Sequence, residues 1–377
     1  MSEKTNMPSP CFVLEEAKLR QNLELISKVS RESGAEIILA FKGFAMWKAF
    51  PIIREYIHGA TASSLHELQL CNEHMNAKAH TYCVAYKEGE LNQIIAGSSH
   101  LTFNSLSQLS KYKDQVAKQG VSVGLRINPE QSDVETALYN PASPHSRLGV
   151  GVEELKEGLP DGVEGFHSHV LCESDSYALE EVLKAIEEKF GQWLPQIKWL
   201  NLGGGHLMTR SGYDVEHLIQ VLKAFKEKHD LHIILEPGSA FAWQTGYLKT
   251  TVLDVVDRKG QKTAIIDASF TCHMPDCLEM PYRPKIEEGN EKLEEGQIAY
   301  RMGGVSCLAG DFMESYGFDQ ELKPGDSITF LDMMHYTMVK TSTFNGIGHP
   351  GIGVIQLDGS FELWREFGYE DFKNRLS

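Results

Sequence analysis

Ile38-Leu-Ala-Phe-Lys-Gly-Phe44 is a run of four apolar residues closed by a lysine and a glycine. It reads as a short buried strand that delivers the amine of Lys42 to its carboxyl end, where apolar walls weaken the hold of a lysine on its proton. Taken alone, such a lysine is equally a side chain that snorkels out of a strand end. A helical pattern, Met46 to Glu55, follows it, and the same strand-then-helix unit recurs downstream.

Seven more apolar segments have this character: Tyr56–Ser63, Ala79–Ala85, His100–Ser105, Val121–Asn128, Val163–Val170, Ile197–Gly203 and Leu231–Pro237. Helical patterns lie between them at Ser64–Met75, Glu88–Ala96, Ser107–Gln119, Val152–Gly158, Tyr177–Trp193 and Val215–His229. With Glu36–Lys42 as the first, eight strands alternating with helices predict an α/β fold built on a (β/α)8 barrel, because closure at eight leaves no edge strand exposed. The connection after the fifth strand, residues 128–150, is long and carries three prolines, as functional lids and partner contacts do. From Gly246 the pattern changes to short β segments separated by turn signals such as KPGD and LDGS. Two domains are expected, a barrel over 13–245 and a β-rich domain over 246–377, with residues 1–12 adding a strand to the second.

Composition narrows the function classes. The 377 residues carry a net charge of −16, which disfavours nucleic acid and anionic membranes as partners. No apolar run approaches the ~20 residues that span a bilayer, and the N-terminus lacks an apolar signal core, so a cytoplasmic protein is expected. The seven cysteines are an odd number at scattered spacings, which suits reduced thiols. Cys272, His273 and Cys277 offer three metal ligands at irregular spacing without an evident fourth, and no metal is expected there.

Barrel chemistry gathers at the carboxyl ends of strands. Those ends carry Lys42; His167 and His169, two apart and so on one face; the glycine run Gly203, Gly204 and Gly205; and Glu236 followed by Pro237 and Gly238. Singly, a triple glycine is also a tight turn and a strand-end glutamate also a solvated rim charge. Together they supply an amine, a flat neighbour, backbone N–H groups open to an anion and a carboxylate, which is the requirement list of pyridoxal 5'-phosphate.

The motifs FKG, HxHV, LGGG and EPG, followed by a C-terminal cysteine and tyrosine, resemble the fold type III (alanine-racemase-like) pyridoxal phosphate decarboxylases. Within that group FHSHVLCES, NLGGGH, CHMPDCLEMPYRP, GGVSCLAGD and FNGIGHP are most similar to the carboxynorspermidine (carboxyspermidine) decarboxylases. The resemblance spans nearly the whole chain. It implies that Lys42 holds the cofactor and His169 covers its ring, with Gly203, Gly204, Gly205, Gly238 and Tyr336 around the phosphate. It also implies that Glu236 faces the ring nitrogen and that Cys307 protonates the carbanion, from the other subunit of a homodimer with shared active sites. A glutamate at that nitrogen favours decarboxylation over racemisation, because it keeps the ring an electron sink.

Asp276 and Glu279 are three apart and acidic, suited to the ammonium groups of a polyamine tail, and Asp311 is placed with them at the substrate. Two motifs depart from the wider group: Val170, Leu171 and Cys172 follow His169 where relatives read a glycine and a serine, and Ser239 stands where relatives carry an arginine. The alternatives are a diaminopimelate or other basic amino-acid decarboxylase of the same fold and, in another class, a non-catalytic cofactor-binding regulator.

Overall fold

The structure, a computed structural model, describes residues 7–134, 140–280 and 282–377. Residues 135–139 of the long connection and Pro281 lie outside the described residues. Two units emerge, one formed by Gln21–Phe241 and the other by residues up to Arg20 together with Ala242–Ser377.

The chain opens with strand β1 (Cys11–Glu15) and a helix, Glu16–Ser33. That helix is absent from the sequence reading, although Leu19, Leu23, Ile26 and Val29 recur at helical spacing and are all fully buried. The barrel strands are β2 (Glu36–Ile37), β3 (Leu39–Ala40), β4 (Ala60–Ala62), β5 (Ala79–Tyr82), β6 (Ser98–Phe103), β7 (Ser122–Arg126), β8 (Gly165–His167), β9 (Trp199–Asn201) and β10 (His232–Leu235). All pairings are parallel, in the order β2-β10-β9-β8-β7-β6-β5-β4-β3. β2 and β3 are the two halves of one strand: the first half pairs with β10, the second with β4, and the Ile38 N–H between them donates to Leu235 at 2.9 Å. The sheet therefore returns on itself as the expected (β/α)8 barrel.

Inside, Trp199 takes space that two glycines leave. A Cβ on Gly165 would lie 2.0 Å from the indole and one on Gly124 2.5 Å, so neither β8 nor β7 beyond it could carry a side chain there. The surrounding helices start where polar caps satisfy their first N–H groups: Asp175 caps Ser176–Phe190, Asp214 caps Val215–His229 and Ser105 caps Leu106–Ala117.

The other unit is a mostly antiparallel sheet. Its strands are β11 (Gly246–Arg258), β12 (Gln261–Ile266), β13 (Ile298–Gly303), β14 (Phe312–Phe318), β15 (Ser327–Leu331), β16 (Gly351–Ile355) and β17 (Phe361–Arg365). The order is β14-β13-β12-β11-β1-β16-β17, with β15 also on β11. β1 lies between β11 and β16, antiparallel to the first and parallel to the second, and buries Cys11 and Val13 with Met7 and Tyr247. β13 and β14 are strands that the sequence reading passes over. Among the described residues, no helix is long and apolar enough to cross a membrane.

Candidate active site

Lys42 leaves the end of β3 in a turn closed by the Gly43 N–H donating to Ala40 at 3.0 Å. What fixes this turn is a backbone contact. A Cβ on Gly43 would fall 2.7 Å from the Gly238 Cα, and one on Gly238 would fall 3.0 Å from the Gly43 Cα. Neither glycine has a left-handed φ, so space and not torsion excludes a side chain at both. The glycines after the lysine and after Glu236-Pro237 are thus one structural device, bringing the exits of β3 and β10 together.

Lys42 and Glu236 line one cavity with Phe41, Thr61, Ser63, Tyr82, Arg126, His167 and His169. Glu236 is 5% exposed. Its Oε1 accepts from the Asn201 amide at 2.6 Å, and its Oε2 lies 3.3 Å from His167 Nε2. Burial works against its charge, but these two donors outweigh that and hold the carboxyl down to about 2. Burial also pulls His167 below its usual value, so a neutral imidazole donating Nε2–H to an ionised Glu236 describes the pair.

His169 sits opposite. Its Nδ1 accepts the Gly204 N–H at 2.8 Å, which leaves the ring proton on Nε2, 3.1 Å from the Lys42 Nζ. A backbone N–H cannot accept, so this partner assigns the tautomer. The Lys42 contact is then a hydrogen bond only if the amine is neutral. Burial, helped by the Arg126 charge, lowers the Lys42 pKa in that sense, and burial beside Lys42 and Arg126 takes His169 well below the usual histidine range.

The glycine run is engaged differently from the sequence expectation. The Gly203 N–H donates to Asn201 Oδ1 at 2.8 Å and the Gly204 N–H to His169, which leaves Gly205 as the member whose N–H has no partner among the described residues. The run is glycine because it packs against other groups: a Cβ would lie 2.5 Å from the His169 ring at Gly203 and 2.6 Å from the Glu236 carbonyl at Gly204. At Gly205 it would lie 2.2 Å from the Leu171 carbonyl, so the segment that replaces the relatives' glycine and serine packs here.

Arg126, Tyr82 and Asn201 are cavity or contact residues that sequence reasoning misses. Arg126 donates to the His169 carbonyl at 2.8 Å and lies 4.8 Å from the Tyr82 ring centre. An arginine closing an apolar strand was the available signal, and in the fold it is 4% exposed.

The residues expected from the β-rich unit are described within it. Cys307 is exposed, on the turn between β13 and β14. Tyr336 follows β15 with a left-handed φ of 48°. Asp276 is 8% exposed; its Oδ2 accepts from Tyr282 at 2.9 Å and Thr337 at 2.8 Å, while its Oδ1 has no partner among the described residues. Glu279 pairs with Lys340. Asp311 directs both carboxylate oxygens to backbone N–H groups of Thr271 and Ser306. Cys272, His273 and Cys277 are all buried; the one grouping of potential metal ligands among the described residues is His167, His169 and Glu236, in the cavity itself.

The donor set fits pyridoxal phosphate: an amine whose hold on its proton is weakened, an ionised acid and an imidazole in the same cavity, and glycines where any Cβ would close the space. Comparison with known proteins agrees. Residues 62–334 match the family described as pyridoxal-dependent decarboxylase, C-terminal sheet domain. The carboxyaminopropylagmatine decarboxylase of Synechocystis sp. is 52% identical over 99% of this chain and 96% of its own length. The carboxynorspermidine/carboxyspermidine decarboxylase of Campylobacter jejuni is 44% identical over 97% of this chain and 98% of its own. A crystal structure of carboxynorspermidine decarboxylase from Campylobacter jejuni, complexed with norspermidine, superposes with a TM-score of 0.91 at 42% identity, covering 98% of this chain and 100% of that one. Diaminopimelate decarboxylases are more distant relatives. An amine and an acid set at adjoining strand ends by two touching glycines, on a chain alike to these enzymes from end to end, lead to one conclusion: the chain belongs to the pyridoxal-dependent decarboxylases.

Proposed function

We propose that this chain removes the α-carboxylate from a carboxylated polyamine, carboxynorspermidine or carboxyspermidine, with pyridoxal 5'-phosphate held at Lys42. The observation that carries this reading is the convergence of the Lys42 amine, the His169 ring and the Glu236 carboxylate in one cavity. Lys42 would hold the cofactor covalently and His169 would cover its ring. The Gly205 N–H, Ser239 and Tyr336 would serve the phosphate with Gly203, Gly204 and Gly238 giving it room. When bound, the cofactor supplies an electron sink for the pair left on the α-carbon as CO2 departs.

The chain's own groups do the rest. Glu236, ionised and fixed by Asn201 and His167, holds a proton on the ring nitrogen. Cys307 gives its thiol proton to the α-carbon. Asp276, with an Oδ1 unpartnered among the described residues, accepts from an ammonium of the tail. The assembly is a homodimer with shared sites, working in the cytoplasm.

A second substrate, carboxyaminopropylagmatine, is favoured by the 52% identity to the decarboxylase of that compound. Its guanidinium end asks for a planar, two-point acceptor where a polyamine asks for a point charge. Borohydride reduction of the purified, cofactor-loaded protein followed by peptide mass mapping tests the site. Cofactor mass on the Lys42 peptide supports it; cofactor mass on another lysine, or on none, removes it.

A further inference from the structure

Cys307 is solvent-exposed, yet the turn that carries it spends five consecutive backbone N–H groups on the protein. Gly304 donates to the Asp311 carbonyl at 2.7 Å, Val305 to the Ala268 carbonyl at 3.0 Å and Ser306 to Asp311 Oδ2 at 3.1 Å. Cys307 donates to Asn345 Oδ1 at 2.9 Å, and Leu308 to Ser306 Oγ at 3.3 Å. An exposed turn ordinarily gives its N–H groups to water, so this one is held in a single conformation.

Two side chains do the holding, Asp311 from the end of the turn itself and Asn345 from outside the hairpin. Asp311 is 4% exposed, and its Oδ1 is anchored by the Thr271 N–H at 3.1 Å, which orients Oδ2 toward Ser306. A Cβ on Gly304 would lie 2.3 Å from that carboxylate, so the glycine there exists to admit it. Asn345 sits in the left-handed region, φ 57° and ψ 12°, a conformation asparagine tolerates better than most residues.

We propose that Asp311 and Asn345 are positioning residues, which fix the direction of the Cys307 thiol by bonding the two successive N–H groups, of Ser306 and Cys307, that lead into its Cα. The proposal rests on Cys307 as the proton donor and assigns Asp311 to that thiol instead of the substrate. A proton transfer to carbon needs the thiol aimed before the electron pair appears, and a turn that samples several conformations delivers it in only a fraction of turnovers.

The test uses the cofactor-loaded enzyme and the kcat-against-KM split. Asn345→Gly removes the acceptor without a backbone penalty, and Asn345→Asp keeps an oxygen in place. Asn345→Gly is expected to lower kcat by roughly 10-fold with KM within twofold, and Asn345→Asp to restore most of it. In a Cys307→Ser background Asn345→Gly is expected to change kcat less than twofold. Asp311→Asn follows the same pattern. Full kcat in Asn345→Gly, or the same loss in both backgrounds, overturns the proposal while the donor role stands. A rise in KM for Asp311→Asn with kcat unchanged returns that residue to the substrate. Wild-type kcat in Cys307→Ser removes the donor role and the proposal with it. The iodoacetamide labelling rate of Cys307, with Cys307→Ser as blank, gives a readout independent of turnover: it changes in Asn345→Gly if the thiol is released, and an unchanged rate counts against the proposal.

Discussion

Gly43→Ala adds one methyl group where the exits of β3 and β10 touch. The new carbon would lie 2.7 Å from the Gly238 Cα, 2.9 Å from its carbonyl carbon and 3.2 Å from the Ser239 nitrogen, all backbone atoms that cannot rotate away. Ordinary contact begins at 3.4 Å, so the two strand exits must part by about 0.7 Å. Overpacking of this kind costs about 1–3 kcal/mol. The larger effect falls on function, because Lys42 lies next to the strained position and Glu236 two residues from the other side of it. A displacement approaching 1 Å between groups that must act on one molecule costs about 10²-fold in rate. Urea denaturation and CO2 release from the cofactor-loaded enzyme measure the two effects. Gly89→Ala, in the helix Glu88–Gly97 with nothing within 4 Å of the new Cβ, is the control and is expected to be neutral or slightly stabilising. Gly43→Ala with native stability and native turnover would show that the glycine contact does not set the site.

Lys42→Ala is expected to abolish the visible absorbance of bound cofactor and turnover while leaving the urea midpoint nearly unchanged, since the side chain faces the cavity; retained absorbance would count against it. Glu236→Gln keeps the shape but not the charge, and kcat is expected to fall by roughly 10²–10³-fold with little change in fold; unimpaired kcat would show that the carboxylate is dispensable. Stability is expected to fall as pH drops below about 6.5. Burial first, and then the neighbouring charge of His80, depress His100 to about 3, so the unfolded chain binds that proton before the folded one does. Stability is then fully present above the unfolded value and is lost on acidification, by up to about 2 kcal/mol from this residue between pH 6.5 and 5. His100→Phe should flatten that slope; an unaltered slope would point to other groups.

The barrel was legible because each strand is a short apolar run between a helix and a polar break, and every expected strand overlaps an observed one. The helix Glu16–Ser33 was equally legible from Leu19, Leu23, Ile26 and Val29, but its first turn abuts the apolar stretch of β1, which draws the eye to strand. β13 and β14 are harder to see, since their apolar residues are interleaved with charge and glycine, as in Tyr300-Arg301-Met302. Motif reading singled out Lys42, His169 and Glu236, which line one cavity, because strand ends advertise reactive side chains. It could not find what the glycines do: Gly43 matters through Gly238, nearly two hundred residues away, and Gly204 through His169. Nor could spacing tell that Glu279 would turn to Lys340, or that Asp311 would be spent on backbone N–H groups. Those outcomes depend on which partners tertiary packing brings near.

CO2 release on a substrate panel separates decarboxylation of a carboxylated polyamine from the other activities of this fold. With pyridoxal phosphate present, kcat/KM is expected to be at least about 10²-fold higher for carboxynorspermidine, carboxyspermidine or carboxyaminopropylagmatine than for diaminopimelate, ornithine or arginine. A preference for diaminopimelate, or no CO2 from any carboxylated polyamine, would contradict it.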